Sequence, residues 1–81
     1  MDFTWHPYLR GPGLAFNGLF VALLENLDDG RARVVLHPNL PAKLRHEFVE
    51  SEAHGRRYVE AWTKRWDSEL RELYGPGGAI E

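Results

Sequence analysis

Between Ser51 and Gly75 the chain carries an apolar stripe that suits one long helix and little else. Val59, Trp62, Trp66, Leu70 and Leu73 recur at spacings of three and four, the period that puts side chains on one helical face. Ser51 can cap the first turn, and Glu52 sets a carboxylate where the helix dipole favours it. Gly75 and Pro76 stop the helix. The spacing therefore predicts one helix over 52–74, roughly 34 Å long at 1.5 Å per residue. A single stripe must be buried against another layer, which the first fifty residues have to supply. On so short a chain the last turns of the helix are expected to project beyond that layer.

The front of the chain reads as strands. Residues 3–9 (FTWHPYL) suit an edge strand, because Pro7 cannot donate to a ladder. Gly11-Pro12-Gly13 marks a turn. LFVALLEN at 19–26 is ambiguous, since Leu19, Phe20, Leu23, Leu24 and Leu27 would also form a helical stripe. The following Asp28-Asp29-Gly30 turn and the alternation in Arg31–Leu36 favour a hairpin, with strands at 19–26 and 31–37. After Pro38-Asn39-Leu40-Pro41, residues 43–49 read as a third strand. A helix from Asn39 pairing Leu44 with Phe48 competes, but Ser51 and Glu52 come next on its stripe. The expected fold is α+β: a three-stranded antiparallel sheet, with room for an extra N-terminal edge strand, packed on one long C-terminal helix. Residues 1–75 form the single domain and 76–81 a flexible tail.

At 81 residues the chain buries only about 60% of its unfolded surface, so its aromatic residues carry much of the core. It has no cysteine, which rules out disulfide staples and thiolate zinc sites. The first residues lack the basic start and apolar run of a signal peptide. The apolar run Leu19–Leu24 is far below the roughly 20 residues needed to cross a bilayer. A cytoplasmic protein without membrane contact is expected. The net charge of −2 disfavours nucleic acid as a partner.

Catalytic patterns are missing. His37, His46 and His54 show no metal-ligand spacing, and neither Ser51 nor Ser68 sits in a Gly-x-Ser-x-Gly turn. Gly11-Pro12-Gly13 lacks the Lys of a phosphate loop. Neither catalysis nor a cofactor is expected. On the helix, Arg57, Lys64 and Arg71 alternate with Glu60 and Asp67, a self-neutralising face with Glu60–Lys64 in the favoured i,i+4 order. Arg31 and Arg33 share one strand face, and Lys43 and Arg45 another. If both faces point away from the helix, these four make a small cationic patch.

The order of three strands and a helix, with Gly30-Arg31 through Val35-Leu36, then Phe48, Ser51-Glu52-Ala53 and Tyr58, resembles the AP2-type and integrase arm-type DNA-binding domains over about residues 19–66. The resemblance implies a sheet face that enters the major groove, with Arg31, Arg33, Lys43 and Arg45 at the matching positions. The first strand departs from that pattern: it offers no cation and carries Glu25.

Surplus aromatic and apolar residues argue for a different partner. Trp5, Tyr8 and the apolar strand 19–26 exceed what one helix can cover, which suits an interface anchor. The preferred expectation is a small protein-binding module, of the kind found among phage accessory and inhibitor proteins such as anti-CRISPR proteins. DNA binding through the sheet is the alternative. A homodimer seamed by Trp66, Leu70 and Leu73 is a third arrangement the stripe allows.

Overall fold

The computed structural model describes residues 2–75; the expected tail at 76–81 lies outside them. Asn17 and Gly18 both take left-handed backbone, with φ of 54° and 79°. That pair makes the two-residue hairpin turn whose twist matches the strands it joins. It connects β2 (Pro12–Phe16) to β3 (Leu19–Asn26). Before them stands β1 (Thr4–Pro7), and after them β4 (Ala32–Leu36) and β5 (Arg45–Val49). The five strands form one antiparallel sheet in the order β1-β2-β3-β4-β5. Helices α1 (Glu52–Arg65) and α2 (Asp67–Tyr74) follow. The protein is a small α+β domain.

The expected strands at 19–26, 31–37 and 43–49 are present as β3, β4 and β5, and the allowed edge strand as β1. The sheet nevertheless has five strands, because Pro12 and Gly13, expected in a turn with Gly11, instead begin β2. The turn itself lies at residues 8–11, where Tyr8 N donates to Gly11 O at 3.0 Å. Pro12 opens an interior strand, one of the few sheet positions that tolerates a missing donor. The next residue, Gly13, leaves space that the Phe20 ring occupies, so a methyl group there would stand 2.5 Å from the ring.

The pairing of Leu14 with Ala22 and Ala15 with Phe20 leaves Val21 as an extra residue. This bulge lets Val21 and Ala22 both be buried. Register then assigns the faces. Leu14, Ala22, Leu24, Val34 and Leu36 point toward the helices and form the core with Val59, Leu70 and Tyr74.

Ser51 caps α1, its Oγ accepting from His54 N at 3.2 Å. The single rod expected over 52–74 is broken at Trp66 (φ −109°, ψ 24°). Backbone bonds still run through the break, from Trp66 N to Trp62 O and from Leu70 N to Trp66 O. The last turns do not project. Leu70 and Tyr74 are 2% and 1% exposed, whereas Trp66, at the bend, is 43% exposed. The buried stripe is thus Gly55, Val59, Thr63, Leu70 and Tyr74, displaced from the larger residues beside it. Burying Leu70 within its own core removes it from the helix seam expected for a dimer.

The end of α2 is fastened to the sheet. Tyr74 OH lies 2.7 Å from His37 Nδ1 and the two rings stack, with centroids 5.8 Å apart. Asn17 Nδ2 donates to the Tyr74 carbonyl at 3.0 Å. Burial pushes the Tyr74 phenol up to about 12, so its proton is available to the imidazole. Burial, followed by the charges of Lys43 and Arg45, holds His37 below its ordinary value of 6.5. A neutral His37 accepting from Tyr74 satisfies both shifts.

Candidate functional site

Both helices lie on one face of the sheet, and the opposite face is open. Its side chains follow from the register. Arg33 stands opposite Phe48 and Val35 opposite His46, while Leu23 stands opposite Val35 and Glu25 opposite Arg33. Tyr8 joins this face by packing its ring edge-on to Phe20, with centroids 4.9 Å apart. The result is an apolar face on which Tyr8 and Phe48 are exposed, Phe20 and Leu23 half-buried and Val35 buried. Phe48 is 60% exposed, Tyr8 47% and the adjoining Leu9 83%. A hollow of about 180 Å³ lies between the 8–10 loop and the Leu23, Glu25, Arg33 and Val35 side chains.

Charged groups cross this face in compensated pairs. Arg33 binds Glu25, which also faces Arg10 at 4.0 Å. Arg31 donates from Nε to Asp29 at 2.8 Å and lies over the Phe48 ring at 5.6 Å. The Asp29 carboxyl is held below its usual range, first by the Arg31 backbone N–H and then by its side chain.

The four cations proposed for a DNA surface do not come together. Arg31 and Arg33 belong to the open face. Arg45 pairs with Leu36 and so shares the helix-facing side. With Lys43 it lines a depression of about 250 Å³ against Trp62, Trp66 and Glu69. The two aromatic candidates line one hollow of about 470 Å³ with Glu52 and Arg56 but pack on different neighbours. Tyr8 sits on the open face, whereas Trp5 faces α1, donating from Nε1 to Glu60 at 3.1 Å beneath the Arg56 guanidinium. Trp5 is therefore a brace between β1 and α1. Glu60 is engaged there, and the helix ion pairs form instead at Glu52–Arg56 (3.2 Å) and Asp67–Arg71 (3.0 Å).

Known proteins give no guide. No family model, curated protein or solved structure matches the chain. Functional reading then rests on the geometry alone. Among the described residues no three His, Asp or Glu side chains gather where a metal ion would sit. His37 is engaged by Tyr74, His46 lies on the open face and His54 is exposed on α1. No helix among the described residues is long and apolar enough to cross a membrane.

Phe20, Leu23, Val35 and Phe48 were not singled out as site residues from sequence. Their signal was nonetheless present. LFVALLEN is apolar at both strand parities, a pattern that belongs to strands covered on both faces.

Proposed function

We propose that the protein is a non-enzymatic binding module that docks a protein partner on the open face of its sheet. One observation carries this reading: the face of β3–β5 away from the helices is apolar, with Phe48 and Tyr8 exposed beside the half-buried Leu23 and Phe20 and the buried Val35. An antiparallel sheet with one solvated face ordinarily places polar residues there. Exposed aromatic residues grouped around aliphatic ones form the kind of centre where binding energy concentrates. The flanking Arg10, Glu25 and Arg33 are already paired, so they can serve as a polar rim. A small inhibitor or accessory protein works through a surface of this type.

The DNA-binding alternative has less support. The open-face cations Arg31 and Arg33 are held by Asp29 and Glu25, and neutralised cations release few counterions from a phosphate backbone.

Site-specific photocrosslinking in the native host tests the proposal. A crosslinker at position 48 or 8 should trap one discrete protein, and one at position 54 on the far side should not. A salt-sensitive gel shift with DNA, abolished by Arg33→Glu, together with no crosslinked protein, would overturn it.

A further inference from the structure

The sheet has two edges, and they are defended differently. β1 is four residues long and ends at Pro7, two of the devices that blunt an edge against pairing. β5 has neither. Among the described residues it is the last strand in the sheet order, with a strand partner only on its β4 side, and its sequence Arg45-His46-Glu47-Phe48-Val49 contains no proline, glycine or bulge. Arg45, His46 and Phe48 are exposed. A row of unsatisfied backbone donors and acceptors is thus open to a further strand.

The side chains of this edge select that strand. In an antiparallel pair centred on His46, His46 meets its own copy, and Arg45 of each chain stands opposite Glu47 of the other. Leu44 stands opposite Phe48 of the other chain, again twice by symmetry. Leu44 and Phe48 are two of the five large hydrophobic residues left exposed among the described residues, at 42% and 60%. The alternation of faces in β5 puts the two Arg–Glu pairs on the helix side, while Phe48 and His46 stay on the open side. Centring the pair on Glu47 instead would oppose the two glutamates and leave Arg45 against Val49. Like charges directly opposite weaken a sheet, and opposite charges strengthen it. Arg45 and Glu47 already approach each other within one chain at 3.7 Å, with both side chains substantially exposed, so exchanging partners costs little desolvation.

We propose that the free edge of β5 pairs antiparallel with β5 of a second copy of this chain, in the register centred on His46. The product is a ten-stranded sheet with a two-fold axis through His46 and the helices of both copies on one side. Its open faces run together, doubling the apolar surface. A five-residue edge contact is a small interface, so the association is concentration-dependent.

The test is sedimentation equilibrium of the full chain from micromolar to millimolar concentration, with circular dichroism to verify folding. The wild type should pass from the 9.3 kDa monomer mass toward twice that mass. Arg45→Glu and Glu47→Arg should each weaken association about tenfold, since both cross-strand pairs become repulsive. An equimolar mixture of the two variants should associate again, because each pair across the axis is then Glu with Arg. Mixing cannot repair a fold, so restoration isolates the contact between chains. A wild type that stays monomeric throughout, or a mixture no better than its components, overturns the proposal. Position 48 lies in this seam and position 8 does not, so partner docking is read separately by the crosslinker at position 8, whose capture does not depend on β5 pairing.

Discussion

Gly55 sets how closely α1 approaches the sheet, and replacing it by alanine opposes two effects of similar size. In a helix interior the alanine is favoured by about 0.8–1.0 kcal/mol over glycine. Against this, a Cβ at position 55 would lie 2.8 Å from Leu24 Cδ2 and 3.3 Å from Val49 Cγ2. Carbon pairs prefer roughly 3.5–4.0 Å, so Leu24 would have to retreat by most of an ångström. Leu24 is 2% exposed and belongs to the central cluster, leaving it nowhere to go without moving its neighbours. Overpacking of this kind costs about 1–3 kcal/mol. The packing penalty wins, and Gly55→Ala should destabilise by about 1 kcal/mol, lowering Tm by roughly 5 °C for a domain of this size. Urea unfolding followed by tryptophan fluorescence should show a lower midpoint at an unchanged slope. Leu24→Ala, which alone should cost about 2–5 kcal/mol, should cost about 1 kcal/mol less in the Gly55→Ala background, since the new methyl enters the vacated space. A rise in Tm for Gly55→Ala would refute the reasoning, as would a cycle additive to within about 0.5 kcal/mol.

Tyr74→Phe removes the 2.7 Å bond to His37 and should cost about 1 kcal/mol in chemical denaturation. The pH dependence follows from the two shifts at this contact. His37 is held below 6.5 in the fold, so as pH falls through 6.5 the unfolded chain takes up a proton that the native state refuses. Stability should therefore drop below that pH and level off once both states are protonated. At the alkaline end the Tyr74 phenol ionises near 10 unfolded and about 12 folded, so stability should fall again above pH 10; thermal melts across pH check both limbs. Ser51→Ala, which deletes the acceptor for His54 N, should cost about 1 kcal/mol in the same melts. Phe48→Ser should leave the melt within about 0.5 kcal/mol of wild type, because the ring lies outside the core, while abolishing capture of the partner.

Local chemistry marked much of this fold in advance. The Asp28-Asp29-Gly30 turn, the Ser51 cap and the Gly75 stop all stand where short-range rules put them. LFVALLEN resolved as a strand because the turn after it demands a hairpin. The fifth strand was hidden by Pro12 and Gly13, residues that usually end strands. The clue that outweighs them is Asn17-Gly18 five residues on, a hairpin turn that requires a strand on either side. Two features depended on long-range contacts and had no local signature. The bend at Trp66 accompanies a contact between Tyr74 and His37, 37 positions earlier in the chain. The division of Arg33 from Arg45 between opposite faces depends on the β4–β5 register, which strand boundaries good to one or two residues do not fix.

The open face follows from the number of strands. Five strands about 4.8 Å apart make a sheet roughly 19 Å across, whereas a helix with its side chains is about 10–12 Å wide. One helical layer therefore covers only part of one face, and it leans toward β3, β4 and β5. The uncovered remainder on the helix side is closed by large side chains, with Trp5 and Phe3 packed against the core. Among the described residues the other face is closed only in part, by the 8–10 loop beside Leu23 and Val35. There Tyr8 shields Phe20, the Glu25–Arg33 pair lies beside Leu23 and Val35, and Phe48 is left exposed. A sheet whose outer side needed only to meet water would gain solubility, and lose no core packing, by carrying Thr or Lys at positions 23 and 48. Keeping Leu and Phe there is understandable if that side is buried against another molecule, and that is the premise on which partner binding rests.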